Sequence, residues 1–448
     1  MTAARRLRRR TIVLYALPNA SYSVAALPLA LFVPAFYADD LGLPLAQVGL
    51  AIALSRLLDV VTDPLLGQLS DRLRTRFGRR KPWIALGTPI LLLALWQLFV
   101  PGERGEATLV GLFGWTALLF VGFTMVDLPF KAWGAELSVD YAERSRVAAW
   151  REAFGFAGQV GLLLLLLGLA QLGLSGAQQQ LYWIALVMLA TLPVLVAVSL
   201  ARVAEPPPSE RVVQPLGLGA GLRLVASNPA FARMVAAVLF FVSGVVVQGT
   251  LHRLVLTHVF GREDLFPLMI FAENALTLAA VPLWLRVSYR IEKHRAIALA
   301  ALWIAVFSLA LPFFTREAVI PFIACMVLRG SSFASILFLS NSIVADVVDF
   351  DEVASGRQRT GLFFGVFGMV TKAALALGVL IATALPAALG FDPGMAAPSD
   401  AAVRGMLGIY GFLPGALMAA GAHFLWRFPL TREVQAALRS KLEPRSSA

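Results

Sequence analysis

A single cysteine, Cys325, stands in a chain of 448 residues. That excludes a disulfide framework and any metal site built on several thiolates. Histidine is almost as scarce: His252, His258, His294 and His423 are scattered, with no HExxH or other ligand spacing. Charge is sparse too, with 15% charged against 58% hydrophobic residues and a mean hydropathy of +0.76. A soluble globule does not have this composition. The apolar stretches hold no nucleophile–base pair and no metal constellation, and nothing within the chain is long enough for a soluble domain. Neither an enzyme nor a receptor is therefore expected.

What the chain has in abundance is long apolar runs. Scanning for stretches of about 20 residues gives twelve spans, at 11–38, 45–69, 82–101, 108–135, 147–171, 180–202, 231–256, 264–287, 295–314, 318–346, 360–389 and 402–428. The expected fold class is an all-α membrane protein of twelve transmembrane helices. With the N-terminus inside, 28 of the 38 Lys and Arg fall in or border cytoplasmic segments, five fall in or border external loops, and five lie deep in spans. The opposite orientation would invert that ratio, so both termini are expected in the cytoplasm, at a plasma (inner) membrane. The net charge of +11 is then topological, with attraction to anionic headgroups secondary, and nucleic acid is not an expected partner. Arg5, Arg6, Arg8, Arg9 and Arg10 precede the first apolar stretch as in a signal peptide. That stretch runs on to Tyr37, too long for one, which predicts a retained first helix kinked or locally loosened by Pro18, Pro28 and Pro34.

Between spans six and seven, residues 203–230 are rich in Pro, Gly and polar groups. They form the longest cytoplasmic connection and divide the chain into a six-helix half at 1–202 and a second, with a cytoplasmic tail, at 231–448. Two six-helix halves around a central loop are the pattern of the major facilitator fold, which binds its solute near the membrane midplane. The halves show no clear internal repeat; only the basic loops at 71–82 and 286–295 occupy matching places.

The most informative segment is RLLDVVTDPLLG, residues 56–67. Arg56, Asp59 and Asp63 are spaced by three and four residues, so a helix stacks them on one face. A charge near the bilayer centre costs from about 3 to over 10 kcal/mol. Such groups survive by pairing, by facing a wet cavity or by holding an ion. Two carboxylates one turn apart offer oxygens to a hard cation, or repel each other enough to make one a proton carrier. Asp59 and Asp63 lie roughly 21 to 27 Å from the external end of the span. A purely structural ion-pair network with Arg56 is the alternative, but it leaves one negative charge over.

FYADDLGL (36–43), RLLDVVTDPLLG (56–67) and SDRLRTRFGRRKPW (70–83) resemble the glycoside–pentoside–hexuronide:cation symporter family, in its melibiose-permease-like form. The match continues through DLPF (127–130), GAELSVDYAERSR (134–146), DLFP (264–267), VADVVDFDE (344–352) and TKAALALG (371–378), in the family's order. The resemblance implies that Asp59 and Asp63 are the cation site, Na⁺ if the carrier is sodium-coupled. Thr62 and Asp127 are further candidate oxygen ligands. It also implies that Lys372, about 18 Å into span eleven, is a coupling charge that neutralises the carboxylates when no cation is bound, with Arg56 beside them.

Sugar-binding members carry an acid on the first helix, and NASYSVAAL (19–27) has none; Lys131 stands where an aromatic residue follows DLPF. Both departures argue against a neutral galactoside. Candidate solute contacts are Lys131, Arg151, Glu273, Asn274 and Arg329. Asp127 and Lys131 could instead pair with each other, Lys131 and Arg151 could snorkel, and Glu273 could pair structurally with Arg329. Arg79 and Arg80 in the first basic loop, with Asp346 and Asp349 after span ten, are candidate partners in an inner gate.

The expected function is secondary active transport. Na⁺ or H⁺ moves through the Asp59/Asp63 site, coupled by alternating access to a glycoside-like or acidic solute. A cation-dependent carrier of a lysolipid or other amphiphile is the alternative. No cofactor is expected beyond the transported cation, and this architecture can work as a monomer.

Overall fold

The computed structural model describes residues 7–25, 28–29, 32–72, 75–101, 107–138, 140–174, 176–206, 227–356, 359–389 and 400–442. Arg5 and Arg6, the greater part of the central loop and Arg74 lie outside them. The secondary structure of the described residues is helical, apart from an isolated bridge between Thr75 and Gly78. Ten helices among the described residues are long and apolar enough to cross a membrane, and they correspond to spans three to twelve. Span two is a helix of 28 residues, Leu45–Arg72, several of whose side chains, Asp59 among them, lie outside the described residues.

Span one is loosened as expected: among the described residues its helix comes in short pieces, Arg9–Ala16, Asn19–Tyr22 and Val33–Ala35 among them. Pro18, Pro28 and Pro34 each lack a backbone donor, which removes a helical hydrogen bond at each. Side chains take over the work of holding the chain. Tyr15 stacks on Phe130 at 4.5 Å and donates its hydroxyl hydrogen to the Phe130 carbonyl at 2.8 Å.

Helix starts follow local chemistry. Thr108 accepts from the Gly111 amide, Asp140 from the amides of Ala142 and Glu143, and Asn228 from Phe231, with Pro229 in the first turn after it. Spans one and seven end alike. A π-helical turn (Phe36–Asp40 and Leu256–Phe260) is followed by a left-handed glycine, Gly42 (φ 79°) and Gly261 (φ 65°). In both a backbone amide reaches back six residues, Leu43 to Tyr37 and Arg262 to Leu256.

The chain forms two compact units. The first takes the chain up to Arg223 and adds Val348–Met369 and Lys441–Ala448; the second takes Leu224–Val347 and Val370–Ser440. Each has its own apolar core, around Tyr15, Phe36, Leu95 and Trp133 in one and around Val247, Met269, Phe322 and Tyr410 in the other. Many large apolar side chains stay exposed, Val110, Leu164, Val306 and Leu380 among them. On membrane-spanning helices such faces meet lipid, where exposure costs nothing.

Candidate functional site

Asp63 sits on the second-span helix with 1% of its surface exposed. Its Oδ1 accepts a hydrogen bond of 2.8 Å from the Thr124 hydroxyl on the fourth span. Thr62 is half-buried, and its Oγ1, shielded from solvent, has no hydrogen-bond partner among the described residues. Span eleven comes close through Gly368, where a β-carbon would lie 3.2 Å from Asp63 Oδ2. The side chain of Asp59 lies outside the described residues. Arg56 is exposed, its guanidinium 5.3 Å from the centre of the Phe120 ring. Lys372 is half-buried and belongs to the second unit.

Thr124 was not among the expected ligands. It carries no charge, and a threonine in an apolar helix gives no pattern; only its place one turn before Asp127 could have marked it. Asp127 itself has other partners. Lys131 reaches it at 2.6 Å, the Tyr22 hydroxyl donates at 3.1 Å, and Arg151 Nη1 stands 4.0 Å away. Arg151 is buried, bridges to the neighbouring Glu152, and receives Asn19 on its backbone carbonyl at 2.6 Å. Its Nη1 makes no hydrogen bond among the described residues. Lys131, Asp127, Arg151 and Glu152 thus form one cluster of zero formal charge, lined by Tyr22 and holding an unused buried donor.

The second unit has its own polar cluster. Glu273 and Arg329 pair at 2.7 Å, and Arg329 also donates to Gln248. His252 contacts the Tyr410 hydroxyl at 2.8 Å through Nδ1, and its Nε2 lies 3.9 Å from Glu273. Gly330 permits the approach, because a β-carbon there would collide with the Glu273 side chain. Asn274 turns back to the Ile270 carbonyl of its own helix. The sequence pointed to Glu273 and Arg329; Gln248, His252 and Tyr410 join them only through tertiary packing.

A third cluster lies in the first unit around the basic loop. Arg80, fully buried, bonds Ser70, Asp71 (2.6 Å) and Glu136 (2.7 Å), and Arg79 also reaches Glu136 (2.8 Å). Burial alone would push the Arg80 guanidinium toward deprotonation, but Glu136 and Asp71 outweigh it and hold its pKa above the usual value. Asp71 accepts from the amides of Gly361 (2.9 Å) and Leu362 (3.1 Å), where the helix Thr360–Ala388 begins and carries its positive dipole end. Gly67 and Gly361 face each other so closely that a β-carbon on either would lie 2.3 Å from the other's carbonyl oxygen. Asp349 takes a two-pronged bond from Arg144 at 2.5 and 2.8 Å, and Arg359 grips Asp351. Asp346, in the second unit, binds Lys293 at 2.6 Å.

Comparison with known proteins agrees with this architecture. The Escherichia coli inner membrane symporter YicJ is 23% identical over 89% of this chain and 87% of its own. The E. coli glucuronide carrier protein homolog is 22% identical, over 94% and 93%. The Danio rerio sodium-dependent lysophosphatidylcholine symporter 1-A is 21% identical, over 94% and 86%. Among solved structures the E. coli fucose:proton symporter superposes with a TM-score of 0.68 at 14% identity, covering 94% of this chain and 98% of that one, which shows the major facilitator fold. Residues 14–432 match the family described as MFS/sugar transport protein, so the chain belongs to that family, in its glycoside–pentoside–hexuronide:cation symporter branch.

Proposed function

We propose that this protein is a cation-coupled symporter in which Na⁺ or H⁺ binds at Asp59 and Asp63, with Thr124 and Thr62 supplying further oxygens. The observation that carries the proposal is the buried Asp63 carboxylate bonded to Thr124, beside a Thr62 oxygen that has no bond of its own. A donor set made only of oxygens suits a hard cation. Lys372 is proposed as the coupling charge, and Asp71, Arg80, Arg144 and Asp349 as the contacts that close the cytoplasmic side during alternating access. Both termini are proposed to be cytoplasmic.

For the solute we propose a glycoside bearing a carboxylate. Each cation of the expected lining is paired, Lys131 with Asp127, Arg151 with Glu152 and Arg329 with Glu273, so bulk positive charge does not attract the solute. The unused Arg151 donor supports the proposal: a buried N–H without an acceptor costs about 1–3 kcal/mol, which an incoming carboxylate or hydroxyl oxygen would recover. The relative named as a glucuronide carrier homolog agrees; the relative named for lysophosphatidylcholine keeps an amphiphile as the second reading. The test is uptake into proteoliposomes under an imposed Na⁺ or H⁺ gradient, comparing a glucuronide, melibiose and a lysolipid. Glucuronide accumulation driven by one gradient supports the proposal. Gradient-driven melibiose uptake without glucuronide uptake overturns the solute class, and uptake indifferent to both gradients overturns the coupling.

A further inference from the structure

The second unit carries a cavity of about 700 Å³ that none of the clusters above uses. It lies where the start of Pro229–Val255 meets the end of Asp400–Trp426, and Lys293–Ala310 lines its inner wall through Leu302. At its rim stand Arg233, His423 and Arg427. Arg233 Nη1 donates to the Arg427 carbonyl at 2.6 Å, which draws two guanidinium-bearing residues together at one mouth. Among the described residues no carboxylate lines the cavity and none pairs with these three side chains. Their attraction for an anion is therefore not spent on a carboxylate among the described residues.

The rest of the cavity is apolar and extends into the membrane. Arg233 is four residues into its helix, or roughly 6 Å, whereas Leu302 is nine residues into its own, or roughly 14 Å. Ala419, seven residues before the helix end, keeps the wall low over the intervening depth. Trp426 sits at the rim, half exposed, where an amphipathic ring marks the membrane–water boundary. Phe424 is steadied by stacking on Phe240 at 5.7 Å. A basic mouth at headgroup level, an aromatic residue at the boundary and an apolar trough reaching about half-way to the bilayer centre match one molecule: a phospholipid with an anionic headgroup.

We propose that this cleft binds an anionic glycerophospholipid of the adjacent leaflet, the cytoplasmic one on the topology above, with Arg233 and Arg427 on the phosphate and one acyl chain along Leu302 and Ala419. Basic pockets between transmembrane helices hold such headgroups elsewhere. A free phosphate would use the rim alone and leave the trough empty. The lipid is a bound component, separate from the transported solute.

The test uses the full chain in detergent, with native mass spectrometry and thermal unfolding. The probes are phosphatidylglycerol, phosphatidylcholine and inorganic phosphate. Wild type should retain phosphatidylglycerol and unfold at higher temperature with it, whereas phosphatidylcholine and phosphate should have little effect. Arg233→Ala with Arg427→Ala should weaken phosphatidylglycerol retention by about 30-fold, two basic contacts being lost. Leu302→Trp keeps both charges and blocks the trough, and it should weaken retention as well, which covers the case in which the double variant does not fold. Equal retention of phosphatidylcholine, or unchanged phosphatidylglycerol binding in the variants, overturns the site. Stabilisation by phosphate equal to that by phosphatidylglycerol makes it a free-anion site and overturns the lipid.

Discussion

Thr124 donates its hydroxyl hydrogen to Asp63 at 2.8 Å, tying the fourth span to the second at a carboxylate that has almost no exposed surface. A hydrogen bond to a charged group contributes about 1.5–3 kcal/mol. Thr124→Val removes it while keeping the shape, and should raise the cation concentration needed for half-maximal solute binding by about 10-fold or more. Binding at saturating cation should hardly change, and Thr124→Ser should behave like wild type. Titrations of solute affinity against Na⁺ and against pH check all three. An unaltered cation requirement in Thr124→Val would remove this residue from the site.

Asp63→Asn is expected to abolish cation-driven accumulation in a protein that still folds. With the neutral amide the site keeps one negative charge, as two aspartates with one bound cation would, so downhill exchange should survive. Linkage sets the scale: a coupling of about 1–3 kcal/mol changes each ligand's affinity by about 5- to 150-fold when the other is present. Solute affinity with and without cation, for wild type and variant, measures it directly. Full cation dependence in Asp63→Asn would make this carboxylate structural.

The Arg144–Asp349 pair has the geometry of a latch, buried and two-pronged. Removing one partner of a buried pair costs about 3–5 kcal/mol, since the other charge is stranded. Arg144→Ala should therefore weaken the packing of Val348–Met369 within the first unit, increasing thiol labelling of a cysteine placed at Ser355 and slowing transport. The exchange Arg144→Asp with Asp349→Arg should restore part of both. Labelling that does not respond to either change would mean that this contact closes nothing.

Hydropathy and the motifs made the membrane class, the spans and the family legible in the sequence, because each is written in composition along one helix. Span one shows the limit of that legibility. Pro18, Pro28 and Pro34 announced a disturbed helix, but how far it breaks depends on Tyr15 and Tyr22 finding partners on the fourth span. The matching π turns that end spans one and seven were likewise hidden, because FYADDLGL and LTHVFGRE share little besides the glycine that ends each turn. In the site, charged residues drew attention and neutral ones did not. Asp63, Glu273 and Arg329 stood out in apolar surroundings, whereas Thr124, Gln248 and Tyr410 look like ordinary helix residues until another span packs against them. Lys131 and Arg151 were visible as intramembrane cations, and the i,i+4 spacing already offered Asp127 as the partner of Lys131, but the pairing of Arg151 with Glu152 is a property of the folded cluster.

The Glu273–Arg329 cluster can hold the second unit together, contact the solute, or do both, and one series of variants separates these roles. Glu273→Gln strands a buried guanidinium and Arg329→Met strands a buried carboxylate, so each alone should lower thermal stability markedly, by about 3–5 kcal/mol. Glu273→Gln combined with Arg329→Met removes both charges and should recover much of that loss. If the pair only holds helices, transport should recover along with stability. If Arg329, stacked against Phe333 at 4.6 Å and bonded to Gln248, also reads an acidic group on the solute, the double variant should be stable yet bind a glucuronide poorly. Thermal unfolding and solute binding measured on the same preparations decide between these outcomes. We expect stability without binding, since Arg329 Nε is buried with no partner among the described residues and remains available to an incoming oxygen.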